Sequence, residues 1–183
     1  PAMVGYARTA RIAANRPPED PAEVIRARRM DYYRHMASGP RPAITVVEDL
    51  DFPACTGAFW GEINATVHKG FGLAGALTNG VMRDLPTRFP VLAGSVGPSH
   101  AFVHVRDVGT AVTLFGLTIN DGDLVHADRY GAVVIPPDVL PGLEAAIARL
   151  METERIVLDA ARRPDFDIAR FETAWAAFEK ART

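Results

Sequence analysis

The chain has 183 residues, a length that suits one domain, with 48% apolar and 23% charged residues, an ordinary globular balance. Twenty basic against twenty-two acidic side chains leave a net charge of −2, which excludes the broad basic footprint of a general nucleic-acid binder. The single cysteine, Cys55, excludes an internal disulfide framework and a cysteine-rich zinc site, and it fits a reducing, cytoplasmic setting. No apolar run approaches the roughly 20 residues that a membrane helix needs.

Frequent Gly and Pro point to many turns and several short strands. Val4 to Ala13 reads as a first strand. The Pro-rich stretch Asn15 to Pro21 is a loop, and a helix follows from Pro21 to Met36, with Asp20 as its cap and Pro21 in its first turn. Ala43 to Val47 is a β-branched run, hence a strand. Phe59, Ile63 and Val67 recur at every fourth position and predict a helix from Ala58 to Lys69, stopped by Gly70-Phe71-Gly72. Leu73 to Leu77 is continuously apolar, as in a strand buried on both faces. Strand, helix, strand in this order predicts an α/β crossover.

Beyond Phe89 the texture is short strands between turns: Val91–Ala93, Ala101–Val105, Ala111–Phe115, Leu117–Ile119, Leu124–Ala127 and Ala132–Ile135. A helix from Asp138 to Ala161 carries Leu143, Ile147, Leu150 and Met151 as an apolar stripe. Pro164 breaks it, and a last helix presents Phe171, Trp175 and Phe178 as a docking face.

Three groups of residues carry candidate chemistry. The Gly-bearing segment Thr56 to Glu62 leads into a helix whose N-terminal N–H groups and dipole favour an anion, with Gly57 and Gly61 permitting close approach of a ligand. Equally, Thr56 is a plain N-cap and Glu62 a residue that complements the dipole. The second group, Asn79 to Asp84, follows a buried strand, where α/β sheets place ligands. Arg83 offers a planar fork for a carboxylate or enolate, and Asp84 a hard oxygen ligand for a divalent cation. The competing reading gives Arg83 an ordinary salt bridge and has Asp84 capping the next turn. The third group is His100, His104 and His126, with Asp128 beside His126 on one strand face: this pattern could hold a metal, but partly buried hydrogen-bonded histidines, or histidines that line a pocket without metal, are the simpler reading; on a strand, His100 and His104 share one face. His35 and His68 read as structural. Cys55 beside a helix start resembles a nucleophile, but a small buried residue is the simpler reading.

These segments together resemble the RraA-like family, which includes the 4-hydroxy-4-methyl-2-oxoglutarate aldolases. The resemblance rests on Gly61-Glu62-Ile63-Asn64-Ala65, on Leu73 through Asp84, on Phe89 through Gly94, on Gly116 through Val125 and on Ala127 through Pro136. The blocks come in the family's order and cover most of residues 43–150. The resemblance implies an α/β swivelling β/β/α-type fold, one domain over residues 1–183 with C-terminal helices from 138 to 182. It also implies a homotrimer or hexamer with sites between subunits and a lyase that acts on a small 2-oxo acid with Mg²⁺ or Mn²⁺. In that mapping Arg83 contacts the pyruvate moiety and Asp84 holds the metal. The segment Gly57-Ala58-Phe59-Trp60-Gly61 binds the substrate carboxylate through backbone N–H groups. Glu62 stands where the family more often has Asp and reaches a metal-bound water that helps accept the hydroxyl proton. Some members of the family are instead non-catalytic inhibitors of a ribonuclease. The family has a helical stretch before the first strand, so a segment ahead of Pro1 is expected. Ser99 to His104 departs from the family's Gly/Arg-rich segment, which implies an altered choice of substrate if it faces the pocket.

Overall fold

The computed structural model describes residues 2–83 and 88–182. In chain order the elements are β1 (Met3–Ala13), α1 (Ala22–Ala37), β2 (Ala43–Asp49), β3 (Ala58–Trp60), α2 (Glu62–Gly70), β4 (Leu73–Thr78), β5 (Val81–Met82), β6 (Val91–Leu92) and β7 (Ser95–Val96). They continue with β8 (His104–Val108), β9 (Val112–Leu114), β10 (Leu117–Ile119), β11 (Leu124–Asp128), β12 (Gly131–Ile135), a 3₁₀ turn (Pro137–Val139), α3 (Leu140–Ala161) and α4 (Ile168–Arg182). Two compact units result, residues 1–135 and 136–183.

The first unit is mixed α/β. Its main sheet runs β12-β11-β1-β2-β4-β6, with β8 also paired to β1. The long β1 serves both edges of this arrangement. Its first half pairs antiparallel with β11, its second half antiparallel with β8, and its other edge lies parallel to β2. The β1-α1-β2 and β2-α2-β4 connections join parallel strands, as the predicted crossover requires. In β2 five successive residues are buried, because both faces of the sheet are covered. Ala43 and Val47 join a core with Tyr32, Met36, Trp60 and Phe89; Ile44 and Val46 join a second core with Leu77, Val112, Ile119 and Val125. The β9-β10 hairpin turns on Phe115 and Gly116, both at positive φ (49° and 87°), the geometry of a two-residue type I′ turn.

Two predicted elements and two predicted caps differ in the structure. The helix expected from Ala58 is instead the strand β3 followed by α2. The Phe59, Ile63, Val67 spacing spans that junction, so it is not one helical face, and Ile63 is 78% exposed. What makes 58–60 a strand is distant in sequence: β3 pairs in parallel with β5, and β5 with β7. Residues 101–103 form a turn rather than a strand, since Ala101 has φ 44° and the Val103 N–H donates to the His100 carbonyl (3.1 Å). At α1, Pro21 itself occupies the N-cap position and no side chain caps the helix; the Asp20 carboxylate accepts instead from Arg28 at 3.0 Å. Thr56 is no cap either, because α2 begins at Glu62 with Gly61 in the N-cap position; the Thr56 hydroxyl donates to Asn15 Oδ1 (2.5 Å).

The second unit is a helical hairpin. Asp167 Oδ1 accepts the Arg170 N–H at the start of α4 (2.9 Å), an Asp N-cap. Asp165 in the connection pairs with Arg163 and Arg170 at 2.9 and 2.7 Å. Thr153 and Ala174 are buried, whereas Ile147, Leu150, Met151 and Trp175 stay about half exposed. Among the described residues no helix is long and apolar enough to cross a membrane.

Candidate functional site

A cavity of about 730 Å³ opens in the first unit, walled by α1, by β3 with the start of α2, by Arg83 and by residues 100–105. The parallel register of β3 and β5 builds one side of it. Trp60 lies opposite Met82, and the Arg83 N–H donates to the Trp60 carbonyl (2.8 Å). Arg83 is thereby fixed beside the chain segment that enters α2. Gly61 is the N-cap of that helix, with extended backbone (φ −149°), and no side-chain hydrogen bond caps it. The first main-chain bond of the helix runs from the Ala65 N–H to the Gly61 carbonyl (2.9 Å). The N–H groups of Glu62, Ile63 and Asn64 therefore have no partner inside the helix, and all three residues border the cavity. A guanidinium and a helix N-terminus on one cavity wall favour an anion.

Of the predicted site residues, Ala58, Phe59, Gly61, Glu62, Arg83, His100 and His104 border this cavity. Asp84 lies outside the described residues. Three expectations need correction. Gly57 is buried and does not border the cavity; a Cβ there would collide with the Ala14 side chain and sit 3.0 Å from the His100 carbonyl. Its smallness serves chain packing, not ligand approach. The Trp60 side chain belongs to the core, 1% exposed, stacked on Phe89 (5.9 Å between ring centres) and edge-on to His68 (4.8 Å). His126 lies on β11, opposite Val4 and Val133, and is not part of the cavity wall. His100 and His104 meet at the cavity because a turn, not a strand face, joins them.

Residues that spacing did not single out shape the same wall. The Tyr33 hydroxyl donates to Asn64 Oδ1 (2.8 Å), and Asn64 Nδ2 donates to the Phe59 carbonyl (2.6 Å). Beneath them, His68 Nδ1–H donates to the Asn64 carbonyl and the Tyr32 hydroxyl donates to His68 Nε2, both at 2.6 Å. This ladder locks the first turn of α2 to α1. Only the aromatic pair Tyr32-Tyr33 hinted at it. Arg29 on α1 brings a second guanidinium to the cavity. His35, read as structural, joins Arg8 and Asp121 in a separate network: Asp121 Oδ2 accepts from Arg8 (2.7 Å), and His35 Nε2 lies 3.0 Å from Asp121 Oδ1.

Burial pushes the His68 imidazole down to about 4, with the bond to the Asn64 carbonyl pulling the other way. An unfolded histidine titrates near 6.5, so between the two values the unfolded chain holds more protons. The stability that neutral His68 brings is whole above about pH 6.5 and is lost as the pH falls to about 4, a loss of about 3 kcal/mol. Urea unfolding at about pH 7.5 and about pH 4.5 checks this: His68→Gln is expected to lose about 3 kcal/mol less than the wild type over that interval. Equal losses in the two proteins would refute it. Burial, then the Asp49 carboxylate, pushes the Cys55 thiol up to about 12, which disfavours the thiolate that a nucleophile needs.

Among the described residues, no three His, Cys, Asp or Glu side chains group closely enough to hold a metal ion. The carboxylate that borders the cavity is Glu62. A hard cation that keeps most of its water needs only one or two carboxylates, so this oxygen-donor chemistry fits Mg²⁺ or Mn²⁺ if Asp84 adds the second.

The fold and cavity define a mixed α/β protein with an anion-favouring site at a helix N-terminus. Residues 1–134 match the family model described as RraA-like, Aldolase/RraA, and the chain belongs to that family. It is similar to Protein DlpA of Legionella pneumophila, 26% identical over 156 residues, which is 78% of this chain but only 25% of that protein's length. Its fold is similar to an uncharacterized protein from Pseudomonas syringae pv. tomato, with TM-score 0.66, 22% identity, and coverage of 100% of this chain and 76% of that one. It is also similar to Streptomyces coelicolor RraAS2, described as an unusual member of the RNase ES inhibitor RraA protein family. There the TM-score is 0.65 and the identity 23%, with 84% of this chain and 75% of that one covered. The family holds both aldolases and regulators of RNA processing.

Proposed function

We propose that this chain is a divalent-metal-dependent lyase that breaks a carbon–carbon bond in a small 2-oxo acid, by retro-aldol cleavage or decarboxylation, and releases pyruvate. The observation that supports this reading is the convergence of Arg83 and the uncapped N-terminus of α2 on one cavity wall. The N–H groups of Glu62, Ile63 and Asn64 hold the substrate carboxylate. Arg83 faces the keto oxygen. As the bond breaks, the electron pair moves onto that oxygen, and the guanidinium stabilises the enolate. Asp84 would hold the cation, with Glu62 reaching it through water; the cation, when bound, would supply Lewis-acid stabilisation of the enolate. Ile63 and Phe102, exposed at the cavity, are where a neighbouring subunit of a trimer or hexamer would close the site.

Purified protein is incubated with oxaloacetate or 4-hydroxy-4-methyl-2-oxoglutarate, with Mg²⁺ or with EDTA, and pyruvate is followed. Release that depends on the metal and is lost in Asp84→Ala is expected. No metal-dependent release, with Asp84→Ala indistinguishable from wild type, sinks the reading for these substrates. It would favour instead a non-catalytic protein that binds and inhibits a ribonuclease; the Streptomyces neighbour belongs to an RNase ES inhibitor family.

A further inference from the structure

A guanidinium, an imidazole and a carboxylate from three separate elements meet where α1 ends. Asp121, in the turn between β10 and β11, accepts from Arg8 Nη1 of β1 through Oδ2 (2.7 Å) and from the Thr9 main-chain N–H through Oδ1 (2.9 Å). Arg8 Nε donates to the His35 carbonyl in the last turn of α1 (3.2 Å), and Arg8 Nη2 donates to Ser38 Oγ (2.9 Å). The same Nη2 lies 2.8 Å from His35 Nδ1. These bonds tie the end of α1 to β1 and to the β10–β11 turn.

The network also fixes where the His35 proton sits. A guanidinium only donates, and it keeps its charge at any ordinary pH. Nδ1 therefore accepts from Arg8, and the hydrogen of the neutral ring is on Nε2, which donates to Asp121 Oδ1 (3.0 Å). A second proton would have to go on Nδ1, facing the Arg8 N–H. Two donors and two positive charges would then meet across one short contact. Asp121 cannot offset this with a new bond to Nδ1, because it already holds the opposite side of the ring. Among the described residues, Asp121 and Arg8 are the charged groups that bear on the imidazole. From the β8–β9 turn the ring faces Gly109, where a Cβ would sit 3.5 Å from Cε1; on α1 itself, Asp31 and Arg34 pair with each other (2.8 Å). Burial holds the imidazole below the ordinary histidine value, Asp121 pulling it back up and Arg8 pushing it further down. The side chain is 15% exposed, so a proton from solvent can reach it.

We propose that His35 is an acid-operated latch: when its ring takes up a proton the Arg8 contact breaks, and the end of α1 comes free of β1 and of the β10–β11 turn. Arg29, Tyr32 and Tyr33 of the same helix border the cavity, so release loosens that wall. The latch does not depend on what the cavity binds. Its sign follows from proton linkage. A freed histidine titrates near 6.5, above the latched one, so below that pH the released form holds more protons. The latch is whole above about pH 6.5 and weakens as the pH falls, by at most about tenfold in its opening constant per pH unit.

Two measurements test this. Nitrogen-15 NMR of the histidine rings at about pH 7.5 is expected to show His35 as the neutral Nε2–H tautomer; the Nδ1–H tautomer overturns the latch. Hydrogen exchange, corrected for the intrinsic effect of pH, then follows the Thr9 and Ser38 amides, whose acceptors are Asp121 Oδ1 and the His35 carbonyl. Between about pH 7 and about pH 5.5 their opening constants are expected to rise about five- to tenfold in wild type. His35→Gln can still accept from Arg8 and donate to Asp121 but does not titrate, and it is expected to change less than about twofold over the same interval. His68→Gln is expected to keep the wild-type rise, which separates the latch from the acid sensitivity of His68. No rise in wild type, an equal rise in His35→Gln, or loss of the rise in His68→Gln overturns the proposal.

Discussion

Arg83→Ala is expected to lower the kcat for pyruvate release about 10²- to 10³-fold, the usual cost of removing one donor aimed at a developing oxyanion. The side chain is exposed at the cavity rim, so the fold should survive, with a stability change within about 0.5 kcal/mol. The expected signature is a fall in kcat larger than any rise in KM, because the charge on the keto oxygen is greatest as the bond breaks. Arg83→Lys should recover part of the rate: an ammonium keeps the charge but not the planar two-point fork. Steady-state kinetics on oxaloacetate with Mg²⁺ settle the matter. A variant with wild-type kcat would remove Arg83 from the chemistry and leave the α2 N-terminus and Arg29 as the groups that favour an anion there.

Trp60→Ala is expected to cost about 3–5 kcal/mol of stability, the range for deleting a large buried aromatic. The indole is one of the largest fully buried side chains and fills the space between Phe89, Phe59 and His68. Its loss would open a void directly behind β3, the strand that carries the cavity wall. Trp60→Phe should cost less, since it also removes an indole N–H that is buried with no partner. Urea unfolding measures both. A cost under about 1 kcal/mol for Trp60→Ala would mean that the side chain is not a core element. It would reopen a direct role toward substrate.

How far these positions were legible depends on the range of the interactions that place them. β1, β2 and β4 are written in local apolar and β-branched runs, and the structure has them within one or two residues of the expected ends. The crossover order follows from those runs. The start of α2 does not. Phe59, Ile63 and Val67 match a helical period, yet Phe59 is in a strand because β5 lies beside it, more than twenty residues away. The same pairing sends the Trp60 side chain into the core and brings its backbone to Arg83. The family resemblance implies a substrate contact for that residue through its backbone, not its side chain. His100 and His104 both border the cavity, yet a turn at positive φ, not an alternating strand, brings them there.

The sequence by itself determined a nearly neutral α/β protein with a single cysteine. It also determined the family, through ordered blocks between Gly61 and Pro136. These depend on composition and on patterns local along the chain. Only the tertiary structure decided that Gly61, not Thr56, begins the helix, that Gly57 and the Trp60 side chain are packed away from the cavity wall, and that Tyr33 and Asn64 stiffen that wall. Each of these is set by strand register or side-chain packing between residues far apart in the sequence, which no local period encodes.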